Sequence, residues 1–205
     1  MSKTLLLAFA LTVVASAAHA QTLIDRVLVR VNGDIVTLSD VRQARLLKLV
    51  PAAAGTDDAI ADAIVSRRLM LVEIARYSTS EPAPDALAQR RKEWESSLGT
   101  GANVSDLLRR GGMTDAMIST WLRDDLRIQA YLDRRFPQST IPRRDALLKY
   151  YQDHLPEFTQ NGEVIPFDTA EPKVREKVAG ETRAKQIAQW IDGLKSRADI
   201  TYIKS

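Results

Sequence analysis

Cysteine is absent from the 205 residues. That excludes a disulfide framework, a thiolate nucleophile and any Cys-containing zinc or iron–sulfur site. Histidine occurs twice, as His19 and His154, so a three-His metal site cannot be assembled. His154 directly follows Asp153; neighbours on a helix diverge by about 100°, which leaves that carboxylate badly placed to orient the imidazole. Gly111-Gly112 is followed by no Lys-Ser/Thr pair, so it is not a phosphate loop. The carboxylate pairs Asp57-Asp58 and Asp124-Asp125 are neighbours on helices rather than facing groups. Together these absences predict a protein that is not an enzyme and carries no metal and no cofactor.

Aromatics make up only 6% of the chain, and its nine glycines and eight prolines are dispersed. This argues against a sandwich or barrel and for helices. The hydrophobic fraction of 45% and charged fraction of 27% are ordinary for a globular chain. Long apolar runs are missing apart from Leu5–Ala17, which follows Lys3 and precedes Ala18-His19-Ala20. A basic start, a short apolar stretch and a small–any–small tripeptide predict a secretory signal over residues 1–20, cleaved after Ala20. The run is too short for a membrane span, so no integral span is expected, and the destination is the periplasm in a Gram-negative cell. Without Lys3, one of 29 Lys and Arg residues, the mature chain has 28 basic against 26 acidic side chains. The charges interleave, as on solvated helix faces, so no nucleic-acid partner is expected.

The mature chain begins with a strand pattern, Val27, Val29 and Val31, then Asn32-Gly33 and the return Ile35-Val36. Asn-Gly favours a two-residue turn in which both positions take positive φ. Thr37 and Asp40 stand at capping-box spacing ahead of a helix expected to reach about Val50. Further helices are expected over Thr56–Tyr77, from an Asp85 cap to Leu98, over Val104–Arg110, from a Thr114 cap to about Arg135, and over Arg143–Phe158 with a break near Pro156. Gln160-Asn161-Gly162 reads as a bend and Val164–Phe167 as a short extended piece. Asp168 or Thr169 is expected to cap the last helix, with Pro172 in its first turn and a weak point at Gly180. Residues 199–203 alternate as a final strand, expected to pair beside residues 26–31. The fold expected is mainly α, closed by a small sheet of the N-terminal hairpin and the C-terminal strand.

Met113, Met117 and Trp121 fall at i, i+4 and i+8, and Tyr150, Tyr151 and Phe158 follow on a later helix. Core packing is one reading of all six. The other is a plastic apolar groove that binds polypeptide.

Two segments carry a family resemblance. Ile24-Asp25-Arg26-Val27-Leu28-Val29-Arg30-Val31-Asn32-Gly33-Asp34-Ile35-Val36-Thr37-Leu38-Ser39-Asp40 resembles the opening of the SurA-like periplasmic chaperones. At the other end, Tyr150–His154, Phe158, Val164–Asp168, Pro172, Trp190-Ile191, Leu194 and Ala198–Ile200 resemble that family's closing strand–helix–strand. The resemblance implies one chaperone domain over residues 21–205, a helical peptide-binding lobe of the SurA/trigger-factor type. Residues 21–158 would hold the hairpin and helices, and 159–205 the closing piece. It departs from the SurA/PrsA-type foldases in one respect: only Thr159–Glu163 separates Phe158 from the closing strand, where they usually carry parvulin-type prolyl isomerase domains. The implied function is a holdase for unfolded polypeptides, outer-membrane proteins among them, without isomerase activity. The alternative is a non-enzymatic interaction subunit, or a homo-oligomer that buries the same groove.

Overall fold

The computed structural model describes residues 25–51, 55–77, 81–137 and 142–203. The proposed signal, residues 1–20, and Ile24 of the opening motif lie outside the described residues. The order of elements is β1 (Val27–Val31), β2 (Asp34–Thr37), α1 (Leu38–Leu46), α2 (Asp57–Ile74), α3 (Pro84–Ser97), α4 (Val104–Gly111), α5 (Asp115–Arg135) and α6 (Arg144–Asp153). A 3-10 turn (Leu155–Phe158), β3 (Thr159–Gln160), β4 (Glu163–Val164), α7 (Phe167–Ser196) and β5 (Ile200–Tyr202) complete it. The protein is mainly helical, with a small antiparallel sheet from its N-terminal and C-terminal strands.

The sheet follows from local chemistry. Asn32 at φ 49° and Gly33 at φ 92° make the tight turn between β1 and β2. β1 lies in the middle of the order β2-β1-β5 and pairs antiparallel with both neighbours, Arg30 opposite Ile35 on one side and Thr201 on the other. Asn32 also ties the chain ends: its N–H donates to the Asp199 carbonyl at 2.9 Å, and its side-chain oxygen accepts from the Asp199 N–H at 2.9 Å. Tyr202 then donates its hydroxyl to Asp62 of α2 at 2.7 Å, and Lys195 of α7 donates to the same carboxylate. Burial pushes the Tyr202 hydroxyl up to about 12, helped by the hydrogen bond with Asp62. Burial alone would raise the Asp62 carboxyl, but the hydrogen bonds from Lys195 and Tyr202 outweigh it and hold it below the usual carboxylate range.

Among the described residues, four clusters of buried side chains run through the helices. The sheet, α1, α2 and the end of α7 enclose Val29, Val36, Val41, Ile64, Val65 and Leu194. Leu47, Trp94, Leu108, Ile118 and Leu122 join α3, α4 and α5 to the end of α1. Ile74, Ile128 and Tyr131 join α2 to α5, with Trp190 of α7 packed on them. Leu147, Tyr151, Phe158, Ala170 and Val174 form a separate centre between α6, the 3-10 turn and the start of α7.

Several boundaries differ from expectation, each for a local reason. α1 stops at Leu46 rather than Val50, because Lys48 turns left-handed at φ 48°. The Leu49 N–H then returns to the Ala44 carbonyl at 2.8 Å and that of Lys48 to Arg45 at 3.2 Å, a helix stop that glycine usually supplies. α2 ends at Ile74, three residues before Tyr77. α3 starts one residue ahead of the expected Asp85 cap, since Pro84 occupies its first turn behind Ala83, where a missing N–H costs nothing. The helix after Arg143 ends at Asp153, and Leu155–Phe158 tightens into the 3-10 turn. Residues 159–164 form a two-stranded hairpin instead of a bend: Asn161 (φ 51°) and Gly162 (φ 84°) repeat the Asn32-Gly33 turn. α7 begins at Phe167 behind Pro166, not at an Asp168 or Thr169 cap, and runs unbroken through Gly180. Pro172 therefore lies beyond the first turn, and the N–H it lacks is the one that would pair with the Asp168 carbonyl.

No described helix is long and apolar enough to cross a membrane.

Candidate functional site

A cleft of about 200 Å³ opens where α1, α2 and α5 meet. Its apolar lining comes from Ala44, Leu49, Ile64, Leu71, Met113 and Trp121; its polar lining comes from Asp40, Gln43, Arg67, Arg68 and Asp124. Each wall is placed by a feature already visible in the backbone. The capping box, with Thr37 Oγ1 accepting from the Asp40 N–H and Asp40 Oδ2 accepting from the Thr37 N–H, fixes the first turn of α1. The Lys48 turn swings Leu49 back under Ala44. Gly112 at φ 66° ends α4 and delivers Met113 to the mouth, just before Thr114 caps α5.

Arg67 organises one wall. It is 91% buried on α2 and its guanidinium lies 4.0 Å from the centre of the Trp121 ring. Nη2 donates to the Trp121 carbonyl at 2.8 Å, and Nη1 donates to Asp125. Arg90 of α3 donates to the other Asp125 oxygen at 3.1 Å. Burial lowers the proton affinity of Arg67, and the charges of Asp125 and Asp124 restore part of it. The indole N–H of Trp121 is buried with no hydrogen-bond partner among the described residues. On the opposite wall Arg68 donates to the Ile35 carbonyl of β2 at 2.6 Å and reaches Asp40 at 3.4 Å.

The six side chains singled out in the sequence are not one surface. Met113 and Trp121 line the cleft. Met117 is 46% exposed and outside the lining. Met113 precedes the Thr114 cap, so the three do not form one helical stripe. Phe158 is 1% exposed and Tyr151 nearly as buried, and both belong to the centre between α6 and α7. The Tyr151 hydroxyl donates to the Ile165 carbonyl at 2.6 Å. Tyr150 is half-buried and stacked on His154 at 4.0 Å between ring centres, and the His154 Nδ1 sits 2.8 Å from the Tyr150 carbonyl.

Leu49, Leu71, Arg67 and Arg68 were not singled out from the sequence. Arg67 left a signal there: it interrupts the apolar row Ile60, Ile64, Leu71 on the inner face of α2. A charge in such a row must find a partner or leave the interior. Among the described residues no cluster of three potential metal ligands occurs. No family model matches the chain, and no curated protein matches it.

Proposed function

We propose that the protein is a periplasmic holdase of the SurA-like kind, which binds unfolded polypeptides in the cleft between α1, α2 and α5 and catalyses no prolyl isomerisation. The observation that carries this reading is the size and chemistry of the cleft. At about 200 Å³ it is smaller than the roughly 300–1,000 Å³ typical of small-molecule sites, and it suits a single bulky side chain. Its apolar lining includes a methionine, which adapts to different partners. Both signs of charge surround it, which favours no particular charged sequence. The resemblance of the two chain ends to the SurA-like opening and closing segments supports the same reading. So does the meeting of those ends in one sheet. Outer-membrane polypeptides are the clients this reading implies, and export by the leader over residues 1–20 is part of it.

The test is suppression of aggregation. The mature protein in tenfold excess is expected to keep a denatured outer-membrane β-barrel soluble without ATP. Apolar burial contributes about 25 cal/mol per Å², so protection should persist at 1 M salt, where the Debye length falls to about 3 Å. Gln43→Trp fills the mouth from a half-exposed rim position. It is expected to remove most of the protection while the melting temperature stays unchanged. Absence of protection for several clients, or a stable dimer in which the cleft is closed, would replace the holdase with the interaction-subunit reading.

A further inference from the structure

A second and larger cavity, about 370 Å³, lies between α5 and the segment leading into α3. It uses a different face of α5 from the Trp121 cleft and does not depend on the chaperone reading. Leu126 and Ala130 of α5, with Pro82 and Ala86 opposite, give it an apolar lining. Arg127, which follows Leu126 directly, and Arg134, about two turns further along α5, supply cations. The one carboxylate in the lining, Glu81, faces Arg123 at 3.8 Å. Arg127 is only partly engaged: one terminal nitrogen donates to Asp124 at 3.3 Å, and its side chain remains 27% exposed. Arg134 makes no ion pair with any described residue.

The fork of an arginine matches a carboxylate. The volume falls in the range of small-ligand sites. We propose that this cavity binds a small amphipathic monocarboxylate, its carboxylate on Arg127 and Arg134 and its aliphatic body against Leu126, Ala130 and Ala86. Apolar lining disfavours a compact, strongly hydrated anion such as phosphate, and two arginines disfavour a neutral lipid.

Calorimetric titration of the mature protein with octanoate, and with methyl octanoate as its neutral counterpart, tests the assignment. Octanoate is expected to bind saturably at one site, and the ester about tenfold more weakly or worse. The double change Arg127→Gln and Arg134→Gln should weaken octanoate about tenfold and leave the ester unchanged. Ala130→Trp, at an exposed helix position, should fill the cavity and abolish octanoate binding. Its melting temperature, unchanged from wild type, would show that the fold persists. Equal binding of acid and ester, undiminished octanoate binding by Ala130→Trp, or no saturable binding at millimolar concentration would each overturn the proposal.

Discussion

Phe158→Ala is expected to destabilise the protein by about 3–5 kcal/mol, the range for removing a fully buried aromatic side chain. Phe158 is enclosed by Leu147, Ala170 and Val174 and lies 5.3 Å, ring centre to ring centre, from Tyr151. It is the pin between α6 and the start of α7, because the Ile165 N–H closes on the Phe158 carbonyl at 2.8 Å. Removing the ring leaves a void that backbone held on both sides cannot fill. Urea unfolding measures the loss. A residue whose work is to touch clients would behave differently: stability would hold and client protection would fall. Unchanged stability in the Phe158 variant would return the ring to the list of contact residues and undo the separation of the two regions.

Arg67→Ala is expected to cost about 3 kcal/mol, near the lower end for removing one partner of a buried ion pair. The loss is limited because Arg90 still holds Asp125. The larger part comes from Trp121, which loses the guanidinium stacked on its ring and the donor to its carbonyl. Arg67→Lys keeps the charge but not the planar fork, and an ammonium cannot serve Asp125, the Trp121 carbonyl and the ring at once. Roughly half the loss is expected to remain in that variant. Thermal unfolding and the Trp emission spectrum follow both changes, since release of the indole toward water shifts its emission to the red. An Arg67→Ala protein that melts with wild type would show that the Arg67–Asp125–Trp121 wall does not support the cleft.

How much of this was legible in the sequence depends on how local the cause is. Asn32-Gly33 and the Thr37–Asp40 box act over four residues, and both appear as read. The pairing of β5 beside β1 was also legible, because two alternating segments at the chain ends had no nearer partner of comparable length. The same Asn-Gly signal at 161–162 reads as a bend, since the strands it joins are only two residues long and show no alternation. Lys48 gave no warning of a left-handed helix stop; that conformation is imposed by the burial of Leu47 behind it and Leu49 packing ahead of it. The site was less legible than the fold. Helical spacing placed Met113, Met117 and Trp121 on one face, but the Thr114 cap interrupts that helix and only tertiary packing decides which of the three turns inward. The sequence leaves the aromatic group at 150–158 open between core and binding surface, because nothing in it reveals that α7 covers it with Ala170 and Val174.

The central claim is that unfolded polypeptide occupies the cleft between α1, α2 and α5. A diazirine-bearing aliphatic residue, no larger than the glutamine it replaces, placed at Gln43 on the rim of that cleft, and in a second protein at Lys149, on the exposed side of α6, tests it directly. Each is illuminated with a urea-denatured outer-membrane β-barrel on dilution, and with the same barrel already folded in detergent. The account predicts strong crosslinking from position 43 to the unfolded chain, little to the folded barrel and little from position 149. Crosslinking from position 149 equal to that from position 43, or none from position 43 to the unfolded chain, would contradict it.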